Sequence, residues 1–496
     1  MPQDRENTFI DDLREQVSEM LNGLPQELPI AATVAFKVNN AKEDVFAGNA
    51  EVLADSTRRL SGCNVFAYHE RRPVEGDPSP PADTVEYVIY ENWRSVTQFR
   101  AQWDSEHLKK FQYSVADLIV GPPELKWYYG WTTSKDDYDV AVRTGVAKTW
   151  QKECYSESGK SVPCKGTGQD GDIQAGIPWP ELRFTDNYDG TVTDNLTNLI
   201  WLNDADFFGE VQWEEALKNV RKLAGGKYGL TDDSKEGDWR LPNIKELFSL
   251  VDYGAGDPII PAGHPFKNVK TAIYWTNTSL ASAPTLGWMM TLGIGPTVFD
   301  LKVNPNRMWP VRGNSTCVPR TGQEVCWVLD KSEPRGVKEI SCEGTGQDGE
   351  IRAGVQWPIP RFTDNGDGTV TDNLTGLIWL KNANPFGFRT WQQALDDCNK
   401  LANGQHGLTD GSKRGDWRLP NIKEIESLVD YGRFGPCLPD GGKPFENVRP
   451  SSYWTSTSVA LAPSEAMFII LGVGPAIFES KEHPFFVWPV SGPKKT

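Results

Sequence analysis

The densest carboxylate clusters in the chain are two near-identical strings, DNYDGTVTD from Asp186 to Asp194 and DNGDGTVTD from Asp364 to Asp372. Calcium takes clustered carboxylate oxygens in loops that turn on glycine, so Asp186, Asp189, Asp194, Asp364, Asp367 and Asp372 are the calcium candidates. A helix-loop-helix calcium loop would need Asp five residues before Gly190 and Glu six after it, where the chain has Thr185 and Leu196. A β-hairpin with an Asp-Gly turn and Thr-Val-Thr leading out accounts for the same residues without a metal. Transition-metal chemistry has less support: His264 aligns with Lys443 and His406 with Tyr228, so no histidine recurs around the two strings.

The strings belong to a long internal repeat. GTGQDGDIQAG at Gly166 returns as GTGQDGEIRAG at Gly344, an offset of 178, and GDWRLPNIKEL from Gly237 returns as GDWRLPNIKEI from Gly415. SLVDYG recurs at Ser249 and Ser427, YWTNTS at Tyr274 becomes YWTSTS at Tyr453, and each copy ends on WPV, at Trp309 and Trp488. The repeat predicts tandem domains at 154–313 and 326–492, each large enough for its own core. Linkers are expected at 133–153 and 314–325, with a tail at 493–496. In each LPN block, Asn243 or Asn421 can cap a helix whose Glu246 or Glu424 closes a capping box. Trp213, Ala216, Leu217, Val220 and Leu223 form a helical stripe, mirrored by Trp391, Ala394, Leu395, Cys398 and Leu401. The recurring pairs Trp179/Trp357, Trp201/Trp379, Trp239/Trp417 and Trp275/Trp454 are expected in the core. The alternative for one or two of them is an exposed face that stacks on sugar.

Cysteines follow the repeat. Cys154 and Cys164 open the first copy, Cys326 and Cys342 the second, so each copy predicts one disulfide. Cys398 and Cys437 occur only in the second copy, opposite Val220 and Ile259 of the first, as a disulfide exchanged for an apolar contact would leave them. Three disulfides predict an extracytoplasmic or secreted protein. The opening MPQDRENTFIDDLREQVSEM has no secretory signal order, which keeps a cytoplasmic location as the alternative. No run of 18 apolar residues occurs, so no membrane span is expected. Against 67 Asp and Glu stand 51 Lys and Arg, and a net charge of −16 argues against general nucleic-acid or anionic-membrane binding.

The region before the repeat, 29–132, has the periodicity of a βαββαβ unit, the split ferredoxin-like arrangement. Ala31 to Val38 alternates as a strand, and Glu43 to Leu60 spaces Val45, Phe46, Val52, Leu53 and Leu60 like a helix. Strands follow at Cys63 to His69 and Val85 to Glu91. Ser95 caps a helix carrying Val96, Phe99 and Trp103, another helix runs near His107 to Leu118, and a last strand spans Glu124 to Trp131. Within 1–28, Phe9, Ile10, Leu13, Val17 and Leu21 form one apolar stripe, a helix docked on this domain.

The strings SGCNVFAYHE, YENWRS and QWDSEHLKKF resemble the antibiotic biosynthesis monooxygenase family, over about Ile30 to Trp131. The resemblance implies a dimeric α+β barrel and, in some members, cofactor-free oxygenation of phenols or haem degradation. It carries over Trp93 and His107. Gln102 stands where many members have a second His, and no His follows Phe111 where the haem-degrading branch places its iron ligand, so haem is not expected. Deprotonating a phenol or quinol beside O2 takes a base and an aromatic wall, for which His107, Trp93, Tyr68 and Tyr129 are the candidates. The bland alternative is a Trp and a His that merely pack against the sheet.

The repeat, with C…CxGTGQDG, RFTDNxDGTVTDNLTGLIWL, DWRLPNIKEL and WPVxG, is similar to the Lcl C-terminal-like domain family end to end. That resemblance implies a Trp-rich α+β domain, mostly exported in bacteria, with a binding role and no established catalytic residues. Its WRLPN block also resembles C-type-lectin-like folds. Two function classes follow. One is an exported or surface-associated binding protein whose repeats recognise a glycan or other polymer while the first domain forms a homodimer. The other is a cofactor-free monooxygenase with the repeats as targeting modules. The dimer is expected through the open face of the first domain's sheet, with Val34, Phe36, Val65, Tyr87, Ile89 and Trp127 as apolar candidates for one face or the other.

Overall fold

The computed structural model describes residues 30–58, 63–70, 84–93, 95–120, 123–129, 145–180 and 182–492, together with positions 14, 17, 18 and 21 of a preceding helical stretch. The chain divides into two compact units, residues 1–141 and 142–496.

The first unit has β1 (Ile30–Asn39), α1 (Glu43–Arg58), β2 (Cys63–Glu70), β3 (Thr84–Trp93), α2 (Val96–Trp103), α3 (Glu106–Val115) and β4 (Glu124–Tyr129). Its antiparallel sheet runs β2-β3-β1-β4. Alternation in β1 buries Ile30, Ala32, Phe36 and Val38 on one face, and β3 adds Tyr87, Ile89 and Trp93 beside them. The helices cover this face: Phe36 lies 5.3 Å from the Phe46 ring of α1 and 6.1 Å from Phe111 of α3. Ser95 and Ser105 cap α2 and α3, each side chain accepting from a backbone N–H three residues on. Phe46, Ala50, Leu53 and Ala54 form the buried stripe of α1, whereas Val45 and Val52 point to solvent, so the helical spacing expected of those two valines is off by one residue. Val17 and Leu21 are buried in the same core, and the Arg14 guanidinium lies over the Trp103 ring. Phe9, Ile10 and Leu13 lie outside the described residues.

The two repeats form one body, not two. The largest buried cluster contains residues of both copies, among them Trp201, Trp288 and Trp309 from the first and Trp379, Tyr431 and Trp488 from the second. A shared core therefore joins the copies, and each keeps a smaller cluster of its own around the helix Trp213–Val220 or Trp391–Lys400. In the first copy the strand triplet Phe184–Asp186, Thr191–Asp194 and Leu199–Leu202 joins Val311–Arg312 and Trp239–Arg240, and a second sheet is built around the meander Ile273–Ser279, Leu286–Thr291 and Thr297–Leu301. The second copy repeats both motifs. The expected capping boxes are present at Asn243/Glu246 and Asn421/Glu424. Glu246 also takes the Arg240 guanidinium bidentately at 2.6 Å and 2.6 Å with both groups buried.

Each copy begins with an arm: a disulfide-closed hairpin followed by the short helix Asp170–Ile173 or Asp348–Ile351. The arms are exchanged. Asp170 of the first arm accepts from its own Thr149 at 2.7 Å and from Thr457 of the second copy at 2.6 Å. Asp348 accepts from its own Thr321 at 2.8 Å and from Thr278 of the first copy at 2.6 Å. Gln151 brackets the backbone of Ser458, donating at 2.7 Å and accepting at 2.9 Å, and Gln323 does the same to Ser279 at 2.7 Å and 2.8 Å. Residues 149–153 and 318–325, placed in linkers by the repeat boundaries, are thus built into the body, with Thr149, Gln151, Thr321 and Gln323 buried. Gly171 and Gly349 let the short helices approach the arm backbone: a Cβ there would stand 2.6 Å from Glu153 O or 2.7 Å from Val325 O.

Cys154–Cys164 and Cys326–Cys342 are disulfides, but Cys398 and Cys437 are free and buried, which corrects the third pairing. Cys398 packs in the cluster of the helix Trp391–Lys400, whereas Cys437 belongs to the shared core and donates its S–H to Leu471 O at 3.0 Å. Their counterparts Val220 and Ile259 are likewise in different clusters, so the paired substitution is not a contact. Alkylation of denatured, unreduced chain should label Cys398 and Cys437, and should label Cys154, Cys164, Cys326 and Cys342 only after reduction; mass mapping checks this.

Burial raises the Asp170 and Asp348 carboxyls to about 6 from an ordinary 3.8. A carboxyl raised by folding stabilises the fold while protonated and loses that contribution as pH climbs through its folded value. A rise of this size corresponds to about 3 kcal/mol per group. Between about pH 4 and pH 7 the thermal midpoint of Asp170→Asn/Asp348→Asn should therefore decline less than that of the unaltered chain. Parallel melting profiles would refute titration of these carboxyls in that window.

Candidate ligand-binding site

The arms create two related clefts where each meets the loop after a capped helix. The first-copy cleft, about 530 Å³, is lined by Trp150, Lys152, Glu153, the loop from Asp252 to Pro258 and His264. The second-copy cleft, about 730 Å³, is lined by Arg320 to Val325, Trp327, Arg335, Arg352, Trp357 to Arg361 and the loop from Asp430 to Phe434. The repeat aligns Trp150 with Gly322, Lys152 with Glu324, Gln174 with Arg352, Ala255 with Arg433 and Gly256 with Phe434.

Trp150 sits on Trp179 in a parallel stack, ring centroids 5.0 Å apart and 10° between planes, with the Lys152 ammonium 4.6 Å from the Trp150 centroid. Trp179 is 8% exposed as a result. The indole N–H of Trp357 is anchored as that of Trp179 is, donating to Arg320 O at 3.0 Å where Trp179 donates to Lys148 O at 3.0 Å. With Gly322 in place of Trp150, however, Trp357 is only half-buried. Of the eight recurring tryptophans expected in the core, the other seven are buried; Trp357 is the exception.

Charge in the second cleft is unevenly paired. Arg361 holds Asp372 at 2.7 Å, Arg352 holds Glu324 at 3.3 Å and Arg433 holds Asp430 at 3.1 Å. Arg320 and Arg335 are in no ion pair among the described residues, and the Arg320 Nε is buried without a hydrogen-bond partner there. Arg335 lies over the Trp327 ring, 5.7 Å from its centroid. Desolvation raises the Asp430 carboxyl to about 6.

The calcium candidates are turned to other work. Asp194 and Asp372 are buried in bidentate pairs with Arg183 and Arg361. Asp189 and Asp367 each accept from the backbone and hydroxyl of the threonine two residues on, and Asp186 and Asp364 brace the hairpin turn. Among the described residues no three His, Cys, Asp or Glu side chains are grouped to hold a metal.

In the first unit, Trp93 is fully buried against Phe99 and its indole N–H donates to Glu91 at 3.0 Å. His107 is half-buried and its Nε2 lies 2.7 Å from Gln102 Oε1, while Gln102 donates to Thr57 at 2.8 Å. Burial lowers the His107 pKa. Gln102 thus meets His107 where a second His was looked for, and the hydrogen bonds of Trp93 and His107 lead to different partners. Tyr129 pairs in register with Ile30, itself opposite Trp93, and Tyr68 with Ile89; the side chains of both tyrosines lie outside the described residues. Glu91 was missed by the sequence reasoning. Desolvation raises its carboxyl to about 7. The available signal was a carboxylate in phase with Tyr87, Ile89 and Trp93 on the apolar face of β3.

Residues 29–113 match the model of the antibiotic biosynthesis monooxygenase family, and residues 190–312 and 368–491 match that of the Lcl C-terminal domain. None of the curated proteins matches the chain. Among solved structures it is similar to a candidate antibiotic biosynthesis monooxygenase from Nitrosomonas europaea, 17% identical, covering 22% of this chain and 97% of that one, with a TM-score of 0.18. A conserved protein of unknown function from Bacteroides thetaiotaomicron is 17% identical, covering 21% and 98%, TM-score 0.18. A conserved protein from Methanosarcina mazei is 17% identical, covering 21% and 92%, TM-score 0.18. The chain therefore carries an antibiotic biosynthesis monooxygenase domain of ferredoxin-like α+β fold followed by two tandem Lcl C-terminal domains.

Proposed function

We propose that this is an exported or surface-associated binding protein in which the paired repeats hold a glycan or another polymer and the first domain joins two chains. The observation that carries this reading is the open second-copy cleft, where a half-buried indole and two guanidiniums in no ion pair among the described residues line about 730 Å³. Two disulfides suit an oxidising compartment, and among the described residues no helix is long and apolar enough to cross a membrane. Of the apolar candidates for one face or the other, Val34, Phe36, Tyr87 and Ile89 share the face packed by α1 and α3 and are not available for pairing; the side chains of Val65 and Trp127 lie outside the described residues. The opposite face offers Thr33, Ala35 and Val88 between Lys37 and Glu86, and pairing is assigned to it. Joining two chains doubles the clefts, and on a repetitive target this raises retention about a hundredfold or more.

Glu91 favours a second reading, the cofactor-free monooxygenase. A buried carboxyl raised to about 7, beside Trp93 and in the row next to Tyr129, is a better-tuned base for a phenol than His107.

Light scattering should find two chains per particle, and Val88→Lys should give single chains whose retention on immobilised polysaccharide falls about a hundredfold while one-site affinity is kept. A single chain in the unaltered protein overturns the pairing. Oxygen uptake with simple phenols and quinols decides the second reading: turnover that rises through about pH 7 and is lost in Glu91→Gln supports it, and no uptake removes it.

A further inference from the structure

We propose that the second-copy cleft binds a planar aromatic carboxylate, a proposal that rests on reading this cleft as a binding site and names the chemistry it takes. The first copy supplies the template. There the face of Trp179 is occupied by a flat aromatic ring of the chain itself, Trp150, in parallel contact and with a cation, Lys152, above it. In the second copy the same tryptophan is held by the same carbonyl contact, but position 322 carries no side chain. One Trp-to-Gly difference between otherwise closely matched repeats therefore leaves Trp357 half-buried on the cleft, with Gly322 close against its edge, where a Cβ would stand 2.7 Å from Trp357 Cη2.

The remaining differences set the charge. Arg352, Arg433 and Phe434 stand where the first copy has Gln174, Ala255 and Gly256, and Arg335 lies in the longer hairpin of the second arm. Glu324, Asp430 and Asp372 neutralise Arg352, Arg433 and Arg361, Asp440 stands exposed at the rim, and Arg320 and Arg335 remain. Their forked donors match a carboxylate. The first-copy cleft, by contrast, sets Glu153, Asp252 and Asp257 against Lys152. In one cleft the tryptophan face is thus covered by the chain's own indole and the lining is acidic, while its counterpart is basic and walled by Trp357, Trp327 and Phe434. An aryl carboxylate satisfies both features at once, whether free in solution or pendant on a polymer.

Calorimetric titration of the full chain with indole-3-acetate tests the assignment. One site per chain is expected, with neutral indole and non-aromatic glucuronate each weaker by about tenfold or more. Trp357→Ala and Arg335→Ala should each weaken indole-3-acetate by about tenfold. Gly322→Trp should abolish binding by restoring the first-copy stack; because a Cβ there meets Asp430 Oδ1 at 2.2 Å, the two alanine variants decide if that chain does not fold. Retention of benzoate-grafted dextran above plain dextran, at equal benzoate, identifies a polymer-borne ligand, and binding of the free acid alone a small one. If glucuronate or plain dextran binds in a Trp357-dependent way and indole-3-acetate does not, the aromatic assignment falls and the binding cleft stands. If no probe depends on Trp357 or Arg335, both fall.

Discussion

Each arm carboxyl of the C-terminal body takes one of its two hydroxyl hydrogen bonds from the opposite copy, and the rest of that body follows from this reciprocity. Asp170 accepts from Thr457 and Asp348 from Thr278, while Gln151 and Gln323 bracket the backbone of Ser458 and Ser279 at a strand end of the other repeat. These groups are buried, so a copy deprived of its partner's arm would leave Thr278 or Thr457 and the backbone of Ser279 or Ser458 to find other partners, at a cost of about 1–3 kcal/mol for each buried group left unpaired. Two sequences that look like beads on a string are in this way obliged to fold as one object. The recurring GTGQDG string is explained by the same constraint. Its Gln ties the hairpin by bracketing Tyr155 or Trp327, its Asp crosses to the other copy, and its last Gly admits the neighbouring backbone.

Once that frame is in place, departures from symmetry carry information. At the junction Lys245 pairs with Glu426 at 3.2 Å, but the counterpart of Glu426 is Phe248, and Lys423 donates instead to the carbonyl of Val251 at 2.9 Å. Desolvation accordingly lowers Lys423 to about 7. This asymmetry is absorbed in the core. The one at Gly322 is not: it opens toward solvent, and the arginine differences gather around it. A repeat that needed only to fold would have no reason to place these differences in one cleft.

What the sequence revealed depended on how local the determining interaction was. The capping boxes at Asn243 and Asn421, the DxxDG hairpins, the serine-capped helices and the strands of the first unit are set by neighbours within a few residues, and all are found near their expected places. Arm exchange was illegible because both copies carry the same arm and the same docking strand, so pattern alone does not say which meets which. Cys398 and Cys437 misled for a related reason, since a paired substitution marks contact only when the two sites touch. In the cleft, Trp357 looked like seven other tryptophans. Its distinction resides in a glycine thirty-five positions earlier that only the fold brings beneath it.

The cleft also lies at a mechanically meaningful place. One wall, Arg320 to Trp327 with Arg335, is the second arm at its root; the other, Asp430 to Phe434, is the loop that follows the capped helix Ile422–Ser427. The two are joined in the protein by the Tyr431 N–H donating to Thr321 O at 2.8 Å, while Gln323, two residues on, ties the arm to Ser279 of the first copy. Any group seated between Arg335 and Arg433 would contact both walls and hold the root of the arm against this loop. Both walls belong to the second copy, so by linkage occupancy of the cleft would favour the packing of the arm root against the loop of its own copy. A ligand held there would therefore act on the base of the exchanged arm, whereas one on either outer sheet would not.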